Sequence, residues 1–527
     1  MNMIGEYFFI SSAFLIFGLI LLWAWRFLNW VWLKPKKLER FLREQGIKGH
    51  SYGLLYGTLR EESRMMKEVQ SKPTNLSHDI APRVLPFIHQ TFKDYGRTSL
   101  CWIGTSPRVN ILDPTLIRDI LSNKFGQFQM PKLNPLVRLL VTGLLSYEDD
   151  QWAKHRRIIS PAFHQEKLKL MLPAFYASFA ELVSRWNKLT TPKGSCELDI
   201  WPEIQNVTTD VISRALFGSG YEEGQKIFQL QNELSKLTLQ VLQSVYIPGF
   251  RFLPTKKNNR MKEIEKEIQT VLTGIINKKE ATPSVGEVSS SDLLSLLIDS
   301  NKNYIQEHGS KKNAGMTIKE VIEECKLFYF AGQETTSNLL VWTMVVLSMH
   351  MDWQTRAREE VLKFFGNDIP SYGGLSHLKI VTMILYEVLR LYPPTVTIGR
   401  STYKNTKLGE ISLPPGVHLE MPILLLHHDL EFWGEDAQEF KPERFAEGVS
   451  KATNNQVSFF PFGWGPRICI GQNFAMTEAK MALAMILQHF SFELSPSYTH
   501  APCFVLTLQP QYGAQIIFHK LEHASFS

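Results

Sequence analysis

The chain has 527 residues, 44% hydrophobic and 20% charged, with a formal net charge of +6. This composition excludes a disordered or fibrous protein, and the basic excess is too small to make nucleic acid the main partner. The five cysteines (Cys101, Cys196, Cys325, Cys469 and Cys503) form no CxxC pair, which argues against a disulfide scaffold and against a Cys-rich zinc or iron–sulfur site.

Residues 7–25 form a run without a charge, long enough to cross the hydrocarbon core of a bilayer. A cleaved signal peptide is the alternative, but no basic residue precedes the run and no small-residue cleavage site follows it. Glu6 lies before it, and Arg26, Lys34, Lys36, Lys37, Arg40 and Arg43 lie after it. The positive-inside rule therefore predicts a single-pass anchor with the body in the cytosol. Trp23, Trp25, Trp30 and Trp32 stand where an interfacial aromatic belt belongs. A cytosolic body leaves Asn75-Leu-Ser77 and Asn206-Val-Thr208 as chance glycosylation matches and keeps thiols reduced.

The body reads mostly α-helical with small β-sheets. Helix-period spacing predicts helices over 160–186, 224–244, 258–279, 317–350 and 353–365. Strand-like pieces lie at 99–103, 108–112, 402–406 and 417–421, and 504–509 with 514–519 reads as a C-terminal hairpin. The Ser/Gly-rich stretch 281–291 reads as a surface loop. Length alone predicts three to four domains. The absence of repeats and of a Gly-rich hinge between halves instead favours an anchor over 1–33, a basic, Pro-containing hinge over 34–60 and one catalytic domain over 61–527.

The most informative segment surrounds Cys469. Gly463, Gly465 and Gly471 permit a tight loop, and a helical pattern begins just after it. Helix N-termini favour a thiolate, which serves as a nucleophile or as a metal ligand such as the axial ligand of haem iron. No histidine lies within fifteen residues of Cys469 to act as a base, although a spatial partner remains open. Phe462-x-x-Gly465-x-Arg467-x-Cys469-x-Gly471 resembles the haem-binding signature of the cytochrome P-450 superfamily at every fixed position. The resemblance implies that superfamily's fold, haem b, and Cys469 as the axial thiolate.

Further segments agree. Ala331-Gly-Gln-Glu-Thr335 lies mid-way along the predicted helix 317–350, where Gly332 costs about 1 kcal/mol relative to Ala and removes a side chain where something must approach the backbone. It resembles the superfamily's oxygen-binding groove, with Thr335 holding dioxygen and Glu334 helping to deliver protons. Glu387-Val-Leu-Arg390 resembles the ExxR pair, and the segment 442–445 supplies a third member, Arg444; all three are expected to be structural. Trp152-Ala-Lys-His-Arg156 resembles the WxxxR segment. Trp152, Arg156, Arg400 and Arg467 are the expected haem-propionate partners, since a guanidinium fork matches a carboxylate. Phe462 is expected beside the haem.

From the anchor to the C-terminus the chain is similar to the plant seventy-two family, which oxidises specialised terpenoids and some hormones. The chain carries no GxGxxG unit in a strand–turn–helix context and no P-loop, so electrons must come from a partner. The resemblance implies a membrane-bound NADPH–cytochrome reductase in the endoplasmic reticulum. It also implies a pocket that includes Lys132, Phe328, Ala331, Thr395, Val396, Ile398, Phe504 and Val505. These residues are mostly apolar, which fits a lipophilic triterpenoid or sapogenin; an iridoid acid or a gibberellin is the alternative. Lys132 or Arg138 in the pocket would favour a carboxylated substrate. A haem-thiolate isomerase needs no acid–alcohol pair, and a haem carrier needs no proton relay, so Glu334 and Thr335 argue against both.

Overall fold

The computed structural model describes residues 2–123, 126–191, 193–218, 221–281, 292–309, 315–453 and 457–521. A helix spans Asn2–Leu28; among its described residues the large apolar side chains from Phe14 to Leu28 face outward, and the helical stretch Ser11–Glu44 holds a window long and apolar enough to cross a membrane. It continues through a π-helical turn, Asn29–Leu33, into a helix over Lys34–Glu44. Residues 34–60 are thus partly helical, and they dock on the body. Buried Glu39 pairs with Lys36 and Arg43 and accepts from the Tyr52 backbone N–H at 3.2 Å. The Tyr52 hydroxyl donates to the Val31 carbonyl at 2.5 Å.

The body is mostly helical. The expected helix 160–186 begins as a 3-10 turn over Ser160–Phe163, and the α-helix follows at Gln165–Thr190. Pro161 fits that first turn, and His164 is extended between the two pieces. The other expected helices span Tyr221–Leu242, Lys256–Ala281, Ile318–Met349 and Met351–Phe365. Most of the Ser/Gly-rich stretch lies outside the described residues.

The central helix, Ile318–Met349, starts with a capping box. Thr317 accepts from the Glu320 backbone N–H, and the Glu320 carboxylate accepts from the Thr317 N–H at 2.8 Å. It is buried over most of its length and packs against the helices Ile200–Phe217, Lys379–Leu391 and Gln472–His489. Gly332 permits the first of these contacts: a Cβ there would lie 2.9 Å from Ile212 Cδ1. What approaches the Gly332 backbone is therefore a neighbouring helix.

A six-stranded mixed sheet runs in the order Lys48–Gly49, Thr98–Ile103, Ser106–Ile111, His418–Met421, Ile398–Thr402, Phe128–Gln129. The expected strand 402–406 is in fact a boundary. Thr402 ends one strand, opposite Phe128, and Thr406 begins another, opposite Leu413. The expected C-terminal hairpin also divides. Pro502–Phe504 pairs with Leu508–Pro510, and Gln515–Lys520 lies between Phe490–Leu494 and Ser195–Asp199. Gly513, at φ +77°, turns the chain away, and the Asp199 carboxylate accepts the Ala514 N–H at 2.8 Å. The alternation of buried Ile516 and Phe518 was legible in the sequence, but the pairing partners are remote.

Candidate active site

A cavity of about 500 Å³ lies between the central helix and the cysteine loop, within the size range of small-molecule sites. The loop is set by glycines. Gly463 and Gly465 have φ of +74° and +72°, and a Cβ on Gly465 would lie 2.5 Å from the Leu121 carbonyl oxygen. The Cys469 N–H donates to the Phe462 carbonyl at 2.9 Å, and Gly471 caps the helix Gln472–His489. Among the described residues Cys469 is the cysteine that lines the cavity. Its side chain is exposed to the cavity, and the protein packed around it pushes the thiol up, against the Gly471 N–H and the Arg156 guanidinium, which pull the other way.

Three guanidinia gather on the cavity wall. Arg156 donates to the Ile468 carbonyl at 3.0 Å. Arg467 donates to the Tyr147 carbonyl at 2.6 Å and to the Glu148 carboxylate at 2.5 Å, and it stacks over Trp152 at 4.8 Å. Arg400 donates to the Gly399 carbonyl at 2.8 Å. Burial, and then the nearby Arg467 charge, hold Arg400 down at about 10. Crowded, desolvated cations are relieved by bound anions, so this cluster suits a pair of carboxylates.

The opposite wall is the central helix, where Phe328, Ala331 and Thr335 face the cavity. The Thr335 hydroxyl donates to the Ala331 carbonyl at 2.7 Å. Glu334 does not line the cavity. Its carboxylate accepts from the Thr507 hydroxyl and the Gln509 amide, both at 2.5 Å. One residue along a helix is a rotation of about 100°, which separates these neighbours onto different faces. Thr395 and Ile398 line the cavity with Phe462. Lys132 is exposed, Val396 is buried behind the wall, and neither they nor Phe504 and Val505 are among the lining residues.

Behind the cysteine loop, Glu387 and Arg390 form a doubly bonded pair at 2.8 and 2.7 Å, both fully buried. Arg444 approaches Glu387 at 3.5 Å, and its main ionic partner is Asp436 at 2.6 Å. Arg390 also donates to the His427 carbonyl at 2.9 Å, and His427 Nε2 accepts the Phe460 N–H at 3.0 Å. His427 thus joins the pair to the cysteine loop. It carries no sequence signal beyond a buried-looking neighbourhood, so sequence reasoning missed it.

The cytochrome P450 family model matches residues 80–518. Cytochrome P450 CYP72A219 of Panax ginseng is 58% identical over 511 residues, which are 97% of this chain and 98% of that protein. 7-Deoxyloganic acid hydroxylase of Catharanthus roseus is 56% identical over 518 residues, 97% and 99% of the two chains. The retinoic acid bound cyanobacterial CYP120A1 structure has the same fold, with a TM-score of 0.74, 21% identity, and coverage of 90% of this chain and 99% of that one. The chain belongs to the cytochrome P450 family, as a plant monooxygenase of the CYP72A kind. Its cofactor is haem b with thiolate ligation, and its electrons come from a reductase. The donor set fits that group: one thiol on the cavity, three guanidinia for two propionates, and otherwise mostly apolar walls.

Proposed function

We propose that this chain oxidises a bulky, uncharged terpenoid, a triterpenoid or sapogenin, at the endoplasmic reticulum membrane. An NADPH–cytochrome reductase supplies the electrons. The observation that carries the reading is the cavity's charge pattern. Its three guanidinia, which would hold the haem propionates, share one wall, and the rest of the wall is mostly apolar. Lys132 and Arg138, the cations that would favour a carboxylated substrate, are both exposed.

In this reading Cys469 supplies the thiolate, and Trp152, Arg156, Arg400 and Arg467 hold the propionates. Haem b, when bound, supplies the redox chemistry that inserts one oxygen atom of O2 into a C–H bond. Phe328, Ala331 and Ile398 would hold an apolar substrate in the cavity and exclude water. Thr335 offers a hydroxyl proton on the cavity wall. Glu334 stands one residue behind, held by Thr507 and Gln509 as the proton reservoir.

Thr335→Ala is expected to leave haem loading intact while product per NADPH falls by about two orders of magnitude, the low end of what a positioned proton donor contributes. Unchanged coupling would remove Thr335 from the mechanism. Oxidation of an iridoid acid is a second reading, favoured by the 56% identity to 7-deoxyloganic acid hydroxylase; gibberellin oxidation falls under the same test. Membranes carrying this chain and reductase, offered triterpenoid, iridoid and gibberellin panels with NADPH, separate these readings. Turnover of iridoid acids alone would overturn the first.

A further inference from the structure

A second cluster of buried charge stands beside the cavity. His155 and Glu324 have fully buried side chains, with His155 Nδ1 2.6 Å from Glu324 Oε1. His155 belongs to the helix Asp149–Ile159, one position before Arg156. Glu324 lies two turns before Ala331 on the central helix. The other Glu324 oxygen accepts the Leu144 backbone N–H at 3.0 Å. Leu144 and Leu145 are apolar lining of the cavity.

The contact is tight from the loop side too. Gly143 has φ +61°, and a Cβ there would lie 2.7 Å from Glu324 Oε2. Thr142 donates its hydroxyl to Glu323, and Lys326 joins Glu323 to Glu265 of the helix Lys256–Ala281, each at 3.3 Å. At its far end the same loop is gripped again, where the Tyr147 carbonyl and the Glu148 carboxylate accept from Arg467. A buried carboxylate with a backbone N–H and an imidazole as partners is costly to break, because each group left unpaired stays desolvated.

The geometry points to His155 and Glu324 as positioning residues that set the loop 142–147 against the central helix and so fix the cavity wall that the substrate meets. Neither side chain lines the cavity. They act through Leu144 and Leu145, which select substrate shape and the carbon presented for oxidation. The inference rests on haem being held at Cys469. That reading fails separately, if the unsubstituted chain lacks a thiolate-type carbon monoxide spectrum.

The test uses the full chain loaded with haem and three variants, Glu324→Gln, His155→Gln and Thr142→Val, the last being the mildest. Imidazole reports access to iron, and 4-phenylimidazole reports the wall. Imidazole affinity is expected to hold within about twofold, while 4-phenylimidazole weakens about tenfold in the first two variants. Amide exchange at residues 142–147 is expected to quicken by a similar factor in all three. An unchanged ratio of the two affinities with unchanged exchange would overturn the proposal. So would parallel loss of both ligands, which marks general damage. If Glu324→Gln and His155→Gln do not fold, Glu324→Asp, which keeps the charge but shortens the reach to the Leu144 N–H and His155, replaces them in both measurements, and an unchanged affinity ratio with unchanged exchange overturns the proposal.

Discussion

Cys469→Ala is expected to abolish the thiolate-type spectrum of the reduced carbon monoxide complex and all oxygenation with it. The other four cysteines cannot substitute. Cys101 is buried and bonded to Arg108 at 3.0 Å, Cys325 is buried on the central helix, Cys503 lies in a hairpin and Cys196 in a strand. None of them lines the cavity. Gly471 offers only a backbone N–H and Arg156 a cation beside this sulfur, and neither is a donor to iron. Removing the sulfur therefore removes the donor that neither neighbour can replace. An unchanged spectrum would show that iron is held elsewhere.

Glu387→Ala is expected to destabilise the domain by about 3–5 kcal/mol, the usual result of leaving one member of a buried pair without its partner. Arg390 would keep its bonds to the His427, Ala437 and Glu439 carbonyls, yet its charge would be uncompensated and fully buried. Because His427 links this pair to Phe460, the cysteine loop should loosen as well. The measurement is twofold: the midpoint of thermal unfolding, and the fraction of chain that retains haem. Both should fall, and Glu387→Gln should restore part of each. Equal stability and full haem retention in Glu387→Ala would show that Arg444 and the backbone carbonyls suffice.

Much of the site was legible because its parts are local in the chain. The cysteine loop gathers Phe462, Gly465, Arg467 and Cys469 within eight residues, and three of its glycines report the loop directly. The i, i+3 spacing of Glu387 and Arg390 places them on one helix face, and apolar flanks mark that face as buried. Trp152 and Arg156 follow the same logic. The order of the longer helices follows from periodicity, and the membrane-length helix from an unbroken apolar run.

Tertiary structure decided what lies across the chain from what. Glu334 and Thr335 are neighbours in sequence, but helix rotation turns one toward Thr507 and Gln509 and the other toward the cavity. Ile516 and Phe518 alternate as a strand should, yet their partners are at 195–199 and 490–494. Glu324 looks like a stray acid in an apolar helix until His155, 169 residues away, and the Leu144 N–H are brought to it. By itself the sequence determined the long helices, the family and the glycine-set cysteine loop, because period and spacing are short-range properties. Which face each element shows to the cavity, and which buried charge answers which, depends on packing between remote segments, and only the folded chain contains that information.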